Sequence, residues 1–197
     1  MSPMIEIRTS DARRAEVEAL LTDVPNGAAR ALTRAINQVA AAVRTDVVRR
    51  VAATITVTQA ELRRRNVILR RANWENLRAT VRVTGSRIPL ERFAARQTRK
   101  GVGYAIRRGG GREMIPSAFI GRTASGHRGV YLRRMRGDRR APRLPIDEKF
   151  GPSVPHVVEG IGEFAAAAMD GRLGDDLERQ IDTQVGLLLE RRAGGGR

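Results

Sequence analysis

The sequence predicts an α+β fold, in which an antiparallel β-sheet packs against a long N-terminal helix and additional helices follow at the C-terminus. Three observations predict this class. Apolar residues recur at helical spacing over residues 28–51, strand-like patterns fill most of residues 67–134, and helical spacing returns after residue 157. We therefore expect an α+β domain over residues 1–156 and a C-terminal helical extension with a flexible tail over residues 157–197.

The first elements are short and precede the clearest pattern in the chain. Met4–Arg8 alternates apolar and polar residues as a strand does, and Ala12–Leu21 has helical spacing that ends at Pro25-Asn26-Gly27. A single apolar stripe then predicts a helix of about seven turns that packs across a sheet. The stripe consists of Leu32, Ile36, Val39, Val43, Val47 and Val51.

The pattern changes from helix to strand between residues 58 and 84. Thr58 and Glu61 match a capping box, in which each side chain accepts a hydrogen bond from a free backbone N–H group, so a short helix should begin there. Val67–Arg71 and Leu77–Thr84 are predicted strands. In the second strand apolar residues alternate with Arg and Thr, which predicts one solvent-exposed face.

More strands are predicted from Phe93 to Arg134, at residues 102–106, 114–123 and 129–135, with turns at Gly109–Gly111 and Ser125-Gly126. Four prolines and several charges between Arg136 and Pro155 indicate a loop. Apolar spacing predicts two final helices, over residues 157–169 and 173–190. The order of helix, sheet and helix supports the α+β class.

The formal net charge of +16 is concentrated in the middle of the chain. Residues 92–145 contain 15 Lys and Arg against 2 Asp and Glu, a net charge of +13, whereas residues 157–197 carry a net charge of −3. Such a basic segment favours a polyanion or an acidic protein surface as its neighbour. A coding bias toward arginine is the alternative explanation, because only Lys100 and Lys149 are lysines.

Groups that could support catalysis or hold a metal are few. His127 and His156 fall in a predicted turn and a Pro-rich loop, without the spacing of a metal site. Asp175-Asp176 suits a helix N-terminus, and Asp147-Glu148 suits a solvated pair in a loop. With no cysteine and no phosphate-binding glycine motif, we expect no enzyme activity, no cofactor and no metal. The apolar runs are too short to span a bilayer.

Sequence-independent nucleic-acid binding is the alternative function. Guanidinium groups suit phosphate geometry, but the chain has only four Phe, two Tyr and one Trp on which bases could stack. Contacts to a phosphate backbone or to acidic protein are therefore favoured over base recognition. The arginines available for such contacts are Arg107, Arg108, Arg112, Arg122, Arg128, Arg133, Arg134, Arg136, Arg139, Arg140 and Arg143.

Several short motifs occur in order along the chain and carry a family resemblance. They are GSRIPLERF at residues 85–93, Arg96-Gln97, Lys100–Val102, Ala118–Ile120, Val130–Arg133 and Gly151–Pro155. Together they resemble the minor tail protein Z family of long-tailed phages and prophages. The resemblance extends from about Ala28 to Val158. The N-terminal strand and the C-terminal helices lie outside it.

The resemblance implies a structural virion protein that completes the phage tail at its neck and is assembled in the host cytoplasm. It implies a homo-oligomeric ring, with six copies expected, that contacts tail terminator, tail tube and neck proteins and surrounds the DNA channel. It brings no catalytic residues and no membrane partner. Apart from Arg143, the arginines named above are the candidates for a subunit interface or a DNA-channel lining.

Residues 116–134 concentrate this charge in one predicted β-hairpin. Alternation places Val130 and Leu132 on one face, while Phe119 faces opposite to Ile120. The hairpin arginines should project from edges and turns. Because the segment contains no acidic residue, we expect their partners elsewhere, in neighbouring subunits or in the channel.

Overall fold

A computed structural model gives the structure of the chain and describes residues 3–136, 139–140, 145–161 and 172–194. It confirms the α+β class, with a long helix near the N-terminus and helices at the C-terminus. All described strand pairings are antiparallel. Within the described residues, however, the strands form five small sheets instead of one.

Side-chain caps mark the start of two helices, α1 and α3. Ser10 Oγ accepts from the Arg13 N–H (3.2 Å) and Thr58 Oγ1 accepts from the Glu61 N–H (3.4 Å), so the predicted cap at Thr58 is confirmed. The α-helices are α1 (Asp11–Leu20), α2 (Gly27–Thr54), α3 (Gln59–Glu61), α4 (Val154–Ile161) and α5 (Arg172–Gly194). A π-helical turn, Leu62–Asn66, follows α3, and a 3-10 turn occupies Leu90–Arg92.

The strands are short, which suits their arrangement in several small sheets. They are β1 (Met4–Arg8), β2 (Val67–Arg70), β3 (Arg78–Val83), β4 (Arg87–Pro89), β5 (Arg96–Gln97), β6 (Gly101–Tyr104), β7 (Glu113–Pro116), β8 (Phe119–Arg122), β9 (Arg128–Arg133), β10 (Met135–Arg136), β11 (Arg139–Arg140), β12 (Ile146–Glu148) and β13 (Phe150–Ser153).

The chain folds as two compact units. Unit 1 comprises residues 1–47, 67–83 and 161–197, and unit 2 comprises residues 48–66 and 84–160. The chain therefore enters and leaves unit 1 more than once, and α2 contributes residues to both units. The expected division of the chain into an α+β domain over residues 1–156 and a C-terminal helical extension over residues 157–197 stays a prediction.

Unit 1 contains a sheet in the order β1-β3-β2, whose residues alternate between buried and exposed positions. Helix α2 contacts this sheet where Arg44 Nε donates to the Val67 carbonyl of β2 (2.9 Å), and a reciprocal pair of hydrogen bonds joins α2 to Ala72, two residues after β2. The Asn37 side chain donates to the Ala72 carbonyl (3.0 Å), and the Ala72 N–H donates to Asn37 Oδ1 (2.8 Å). The first half of the predicted apolar stripe, Leu32, Ile36 and Val39, is buried.

Helix α5 is an integral part of unit 1. Its buried residues recur at helical spacing, and Arg13 of α1 forms ion pairs with Glu178 (2.8 Å) and Asp182 of α5. Arg192, in the last turns of α5, pairs with Asp23 (2.9 Å). The buried α5 residues are Leu177, Ile181, Val185 and Leu188.

Unit 2 contains the sheets β12-β9-β8, β5-β6-β7, β13-β4 and β10-β11. Phe93 is its largest fully buried side chain, and Val102 and Val130 are also fully buried. A Cβ atom at Gly151 would lie 2.4 Å from the Phe93 ring, so strand β13 can approach the ring only with glycine at this position. This contact fixes β13 against the core.

Three parts of the predicted secondary structure are wrong. Residues 136–155 are not a continuous loop, because they contain β12 and β13, short edge strands in which proline is tolerated. The predicted strand over residues 114–123 is broken at Ser117, whose φ of +61° ends β7 before β8 begins in another sheet. The helix predicted from residue 157 begins at Val154, so His156 lies in α4 and not in a loop.

Candidate interaction surface

The β8–β9 hairpin places its arginines on two different faces. Arg122 pairs across the strands with Arg128, and both lie on the same face as Ile120. Phe119 pairs with Tyr131, and these two residues lie on the other face of the hairpin. Opposed like charges repel, so Arg122 and Arg128 need a compensating anion. The hairpin and its turn are formed as predicted, but its arginines differ in environment.

The acidic partner of Arg128 comes from the 3-10 turn before β5. Arg128 Nε lies 3.5 Å from Glu91 Oε1, and the Glu91 carboxylate is largely shielded from solvent. The second oxygen of Glu91 lies 3.4 Å from Arg92 Nε. Arg122 is exposed and has no ion-pair partner among the described residues. Only one of the two opposed arginines is therefore neutralised within the chain.

Strand β12 supplies two further carboxylates to the hairpin. Arg134 forms a two-point contact with Asp147, with Nη2–Oδ1 and Nε–Oδ2 distances of 2.8 and 3.3 Å. His127 Nε2 lies 2.8 Å from Glu148 Oε1. A Cβ atom at position 129 would lie 2.7 Å from that Glu148 oxygen, so Gly129 leaves room for the pair. The interpretation of Asp147-Glu148 as a solvated loop pair is wrong, because both residues lie in β12 and bind the hairpin.

Arg133 faces an aromatic ring instead of a carboxylate. Its guanidinium carbon lies 5.7 Å from the centre of the Phe119 ring, a distance typical of a cation–π contact. The Phe119 and Tyr131 ring centres are 6.0 Å apart. The rings of Phe119 and Tyr131 and the Arg133 guanidinium therefore lie on the same face of the hairpin.

Arg108 and Arg112 hold backbone in place. Arg108 Nε donates to the Ala52 carbonyl (2.6 Å) near the end of α2, where free carbonyls and the helix dipole favour a cation. Arg112 Nη2 donates to the carbonyls of Ala94 (2.9 Å) and Gly103 (3.1 Å). These guanidinium groups stabilise the fold of unit 2 in addition to any external role.

The remaining five predicted residues differ in how much of each the structure describes. Arg107 is exposed, pairs through its backbone with Ile55, and has no side-chain partner among the described residues. Arg136, Arg139 and Arg140 lie in β10 and β11, where the structure describes their backbone and not their side chains. Arg143 lies outside the described residues. The assignment of the ten candidate arginines to an interface or a channel stays a prediction.

Two hydrogen-bonded pairs of side chains in unit 2 change the pKa values of their residues. The hydrogen bond from Arg134 lowers the pKa of Asp147 below its ordinary value, and the same bond raises the pKa of Arg134. The Tyr104 hydroxyl donates to Glu113 Oε2 (2.6 Å), and this hydrogen bond to a carboxylate raises the pKa of Tyr104 to about 12. Both pairs are held in place by neighbouring strands.

Sequence reasoning assigned no role to two residues that organise this surface. Gln97 of β5 accepts a hydrogen bond from the Ile120 N–H (2.8 Å) and donates to the Gly101 carbonyl (3.1 Å), so it joins β8 to the neighbouring sheet. Glu91 neutralises Arg128. Glu91 and Gln97 both lie in motifs that carry the family resemblance, but no pattern in the sequence shows that they contact Arg128 and β8.

The family comparison decides the identity of the chain. A family model described as prophage minor tail protein Z matches residues 19–191. The chain belongs to the minor tail protein Z family. This match includes the motifs over residues 85–155 that carry the resemblance in the sequence.

Membership of the minor tail protein Z family makes this chain a structural protein of a phage tail and favours a non-enzymatic role. Comparisons with curated proteins and with solved structures gave no match. Among the described residues, no group of His, Asp and Glu is placed to hold a metal ion. No helix within the described ranges is long and apolar enough to cross a membrane.

Proposed function

We propose that this member of the minor tail protein Z family is a tail-completion protein that forms a homo-oligomeric ring at the head-proximal end of the tail. Six copies are expected from the symmetry of long tails. The ring contacts the tail terminator, the tail tube and neck proteins, and it takes part in head–tail joining and DNA passage. Its contribution is structural.

The observation that supports this role is a set of exposed arginines left without partners in a chain of the tail-protein family. Arg107 and Arg122 have no described acidic partner, although neighbouring arginines are neutralised within unit 2. A ring needs two different patches that meet head to tail. The unpaired arginines are candidates for one patch, and exposed carboxylates such as Asp175 of α5 are candidates for the other.

Charge reversal of Arg122 in the prophage tests the proposal. We expect Arg122→Glu to fold normally, because the side chain is exposed, and to lower the yield of particles with joined heads and tails. Arg71→Glu, an equal charge change at an exposed residue of unit 1, is the control. Reversal at Arg134 is less informative because it also breaks the pair with Asp147. A normal yield for Arg122→Glu in electron micrographs and plaque assays contradicts the role of this surface in assembly.

The net charge of +13 over residues 92–145 supports sequence-independent nucleic-acid binding as a second candidate. In that case the logarithm of the affinity for duplex DNA should fall with the logarithm of salt concentration, by about 0.9 for each phosphate neutralised. A salt-independent affinity, or no binding at low salt, removes this candidate.

A further inference from the structure

We propose that a groove beside β8 binds an extended acidic segment of another protein, which adds to the open edge of this strand. The groove is a surface cavity of about 600 Å³ in unit 2. Its lining includes Arg96 and Gln97 of β5, Ile120 and Arg122 of β8, and Arg128 of β9. The inference goes beyond tail completion and does not depend on ring formation.

The charges of the groove select an acidic occupant. Three arginines line it and no carboxylate does. Arg128 is already paired with Glu91, whereas Arg96 and Arg122 have no ion-pair partner among the described residues. Carboxylates bound between these two guanidinium groups would gain charge-assisted hydrogen bonds.

The backbone of β8 provides the second part of the site. Strand β8 lies at the edge of the sheet β12-β9-β8. The Ile120 N–H points away from β9, since it donates to Gln97 Oε1 (2.8 Å). Alternate residues of an antiparallel strand direct their backbone groups to the same side, so the N–H and C=O of Arg122 also point outward. An incoming strand can pair with them, continuing the contact that the Gln97 side chain begins.

These groups favour a peptide over a nucleic acid. At this edge Arg122 presents both an N–H donor and a carbonyl acceptor, and a peptide strand carries the complement of both. Phosphate oxygens only accept hydrogen bonds and leave the carbonyls of β8 unsatisfied. The cavity volume also lies within the range of about 300–1,000 Å³ that is typical of sites for small ligands, which suits a few residues of extended chain.

Fluorescence anisotropy with the full chain tests the site. The probe is a short fluorescein-labelled peptide of alternating threonine and glutamate, and labelled duplex DNA is measured in parallel. We expect Arg122→Glu and Arg96→Glu each to weaken peptide binding by about tenfold or more, as loss of a charge-assisted contact implies. Arg99→Glu carries the same charge change, lies in the exposed turn after β5 and does not line the groove, so it should have little effect.

A second series separates strand addition from simple charge attraction. Two peptides are N-methylated at alternate residues, one at the odd and one at the even positions, so that each lacks the N–H groups along one of its edges. At least one of the two should bind the protein more weakly than the parent peptide. Equal affinity of both methylated peptides and the parent peptide contradicts strand addition. Absence of peptide binding at low salt, equal effects of Arg99→Glu and Arg122→Glu, or groove-dependent binding of DNA without peptide binding each overturns the proposal.

Discussion

Arg134 and Asp147 form a two-point ion pair between the end of β9 and strand β12, with N–O distances of 2.8 and 3.3 Å. The pair shows that part of the basic hairpin finds its acidic partner inside the same chain. Both side chains are exposed, so solvent weakens their attraction. The clearest measurable effect of this ion pair is therefore the lowered pKa of Asp147, and not a large change in stability.

Replacing Arg134 should raise the pKa of Asp147 toward its ordinary value, because the largest cause of the lowered pKa is lost. In the native chain the hydrogen bond from Arg134 lowers this pKa, so the pair's contribution to stability is present above the unfolded-state pKa and is lost as the pH falls through the lowered folded-state pKa. Carboxyl-detected NMR titration of the wild type and Arg134→Gln measures the change. Arg122→Gln is the control, and an unchanged Asp147 pKa in Arg134→Gln contradicts the pairing.

Tyr104 should titrate near the pKa of about 12 that its hydrogen bond to Glu113 produces. The raised pKa means that the contribution to stability is complete below about pH 10 and is lost as the pH rises toward the folded-state pKa. Tyrosinate absorbance measures it, with Tyr131→Phe removing the other tyrosine. We expect Glu113→Gln to lower the pKa of Tyr104. A Tyr104 that ionises at the ordinary pKa with Glu113 present is inconsistent with this hydrogen bond.

Gly151→Ala should destabilise the protein by about 1–3 kcal/mol, the usual cost of overpacking a filled core. The added methyl group would lie 2.4 Å from the buried Phe93 ring, so the ring or β13 must move. Gly160→Ala is the control, because the added carbon would meet no atom within 4 Å other than its chain neighbours and the backbone of its own helix. Urea unfolding monitored by circular dichroism measures both free energies of unfolding. Equal stability of Gly151→Ala and the wild type argues against close packing of β13 on Phe93.

Arg108 and its neighbour Arg107 should differ in their effect on stability. Arg108→Ala removes the 2.6 Å hydrogen bond to the Ala52 carbonyl and should cost about 1 kcal/mol. Arg107→Ala removes an equal charge from an exposed side chain without a described partner and should change the free energy of unfolding much less. Urea unfolding of the two variants compares them directly. If they lose the same stability, the carbonyl contact of Arg108 is not stabilising.

The secondary-structure elements that were predicted correctly are those that depend on residues close together in the sequence. The stripe from Leu32 to Val51 predicts α2, and Thr58 predicts the start of α3, because helical spacing and capping involve residues close in sequence. The charge partners could not be predicted in the same way. Glu91 lies far from Arg128 in sequence, and Asp147 meets Arg134 only because β12 pairs with β9. Composition therefore exaggerated the number of arginines available to an external partner.

The broken strand at Ser117 has a similar explanation. Apolar residues on both sides of Pro116 satisfy a strand pattern, but that pattern does not reveal that β7 pairs with β6 while β8 pairs with β9. Strand order depends on contacts between distant segments, and alternation alone leaves it open. Strand β8, whose residues line the groove, begins after this break.

Cryo-electron microscopy of the assembled particle tests the central proposal most directly. The structure of unit 2, with its hairpin and the buried Phe93 core, can be fitted into the density of the tail and neck. We predict several copies in a closed ring at the head-proximal end of the tail, with Arg122 at a contact between subunits or facing the channel. Density for this chain only at the distal tip, or its absence from complete particles, contradicts the proposed function.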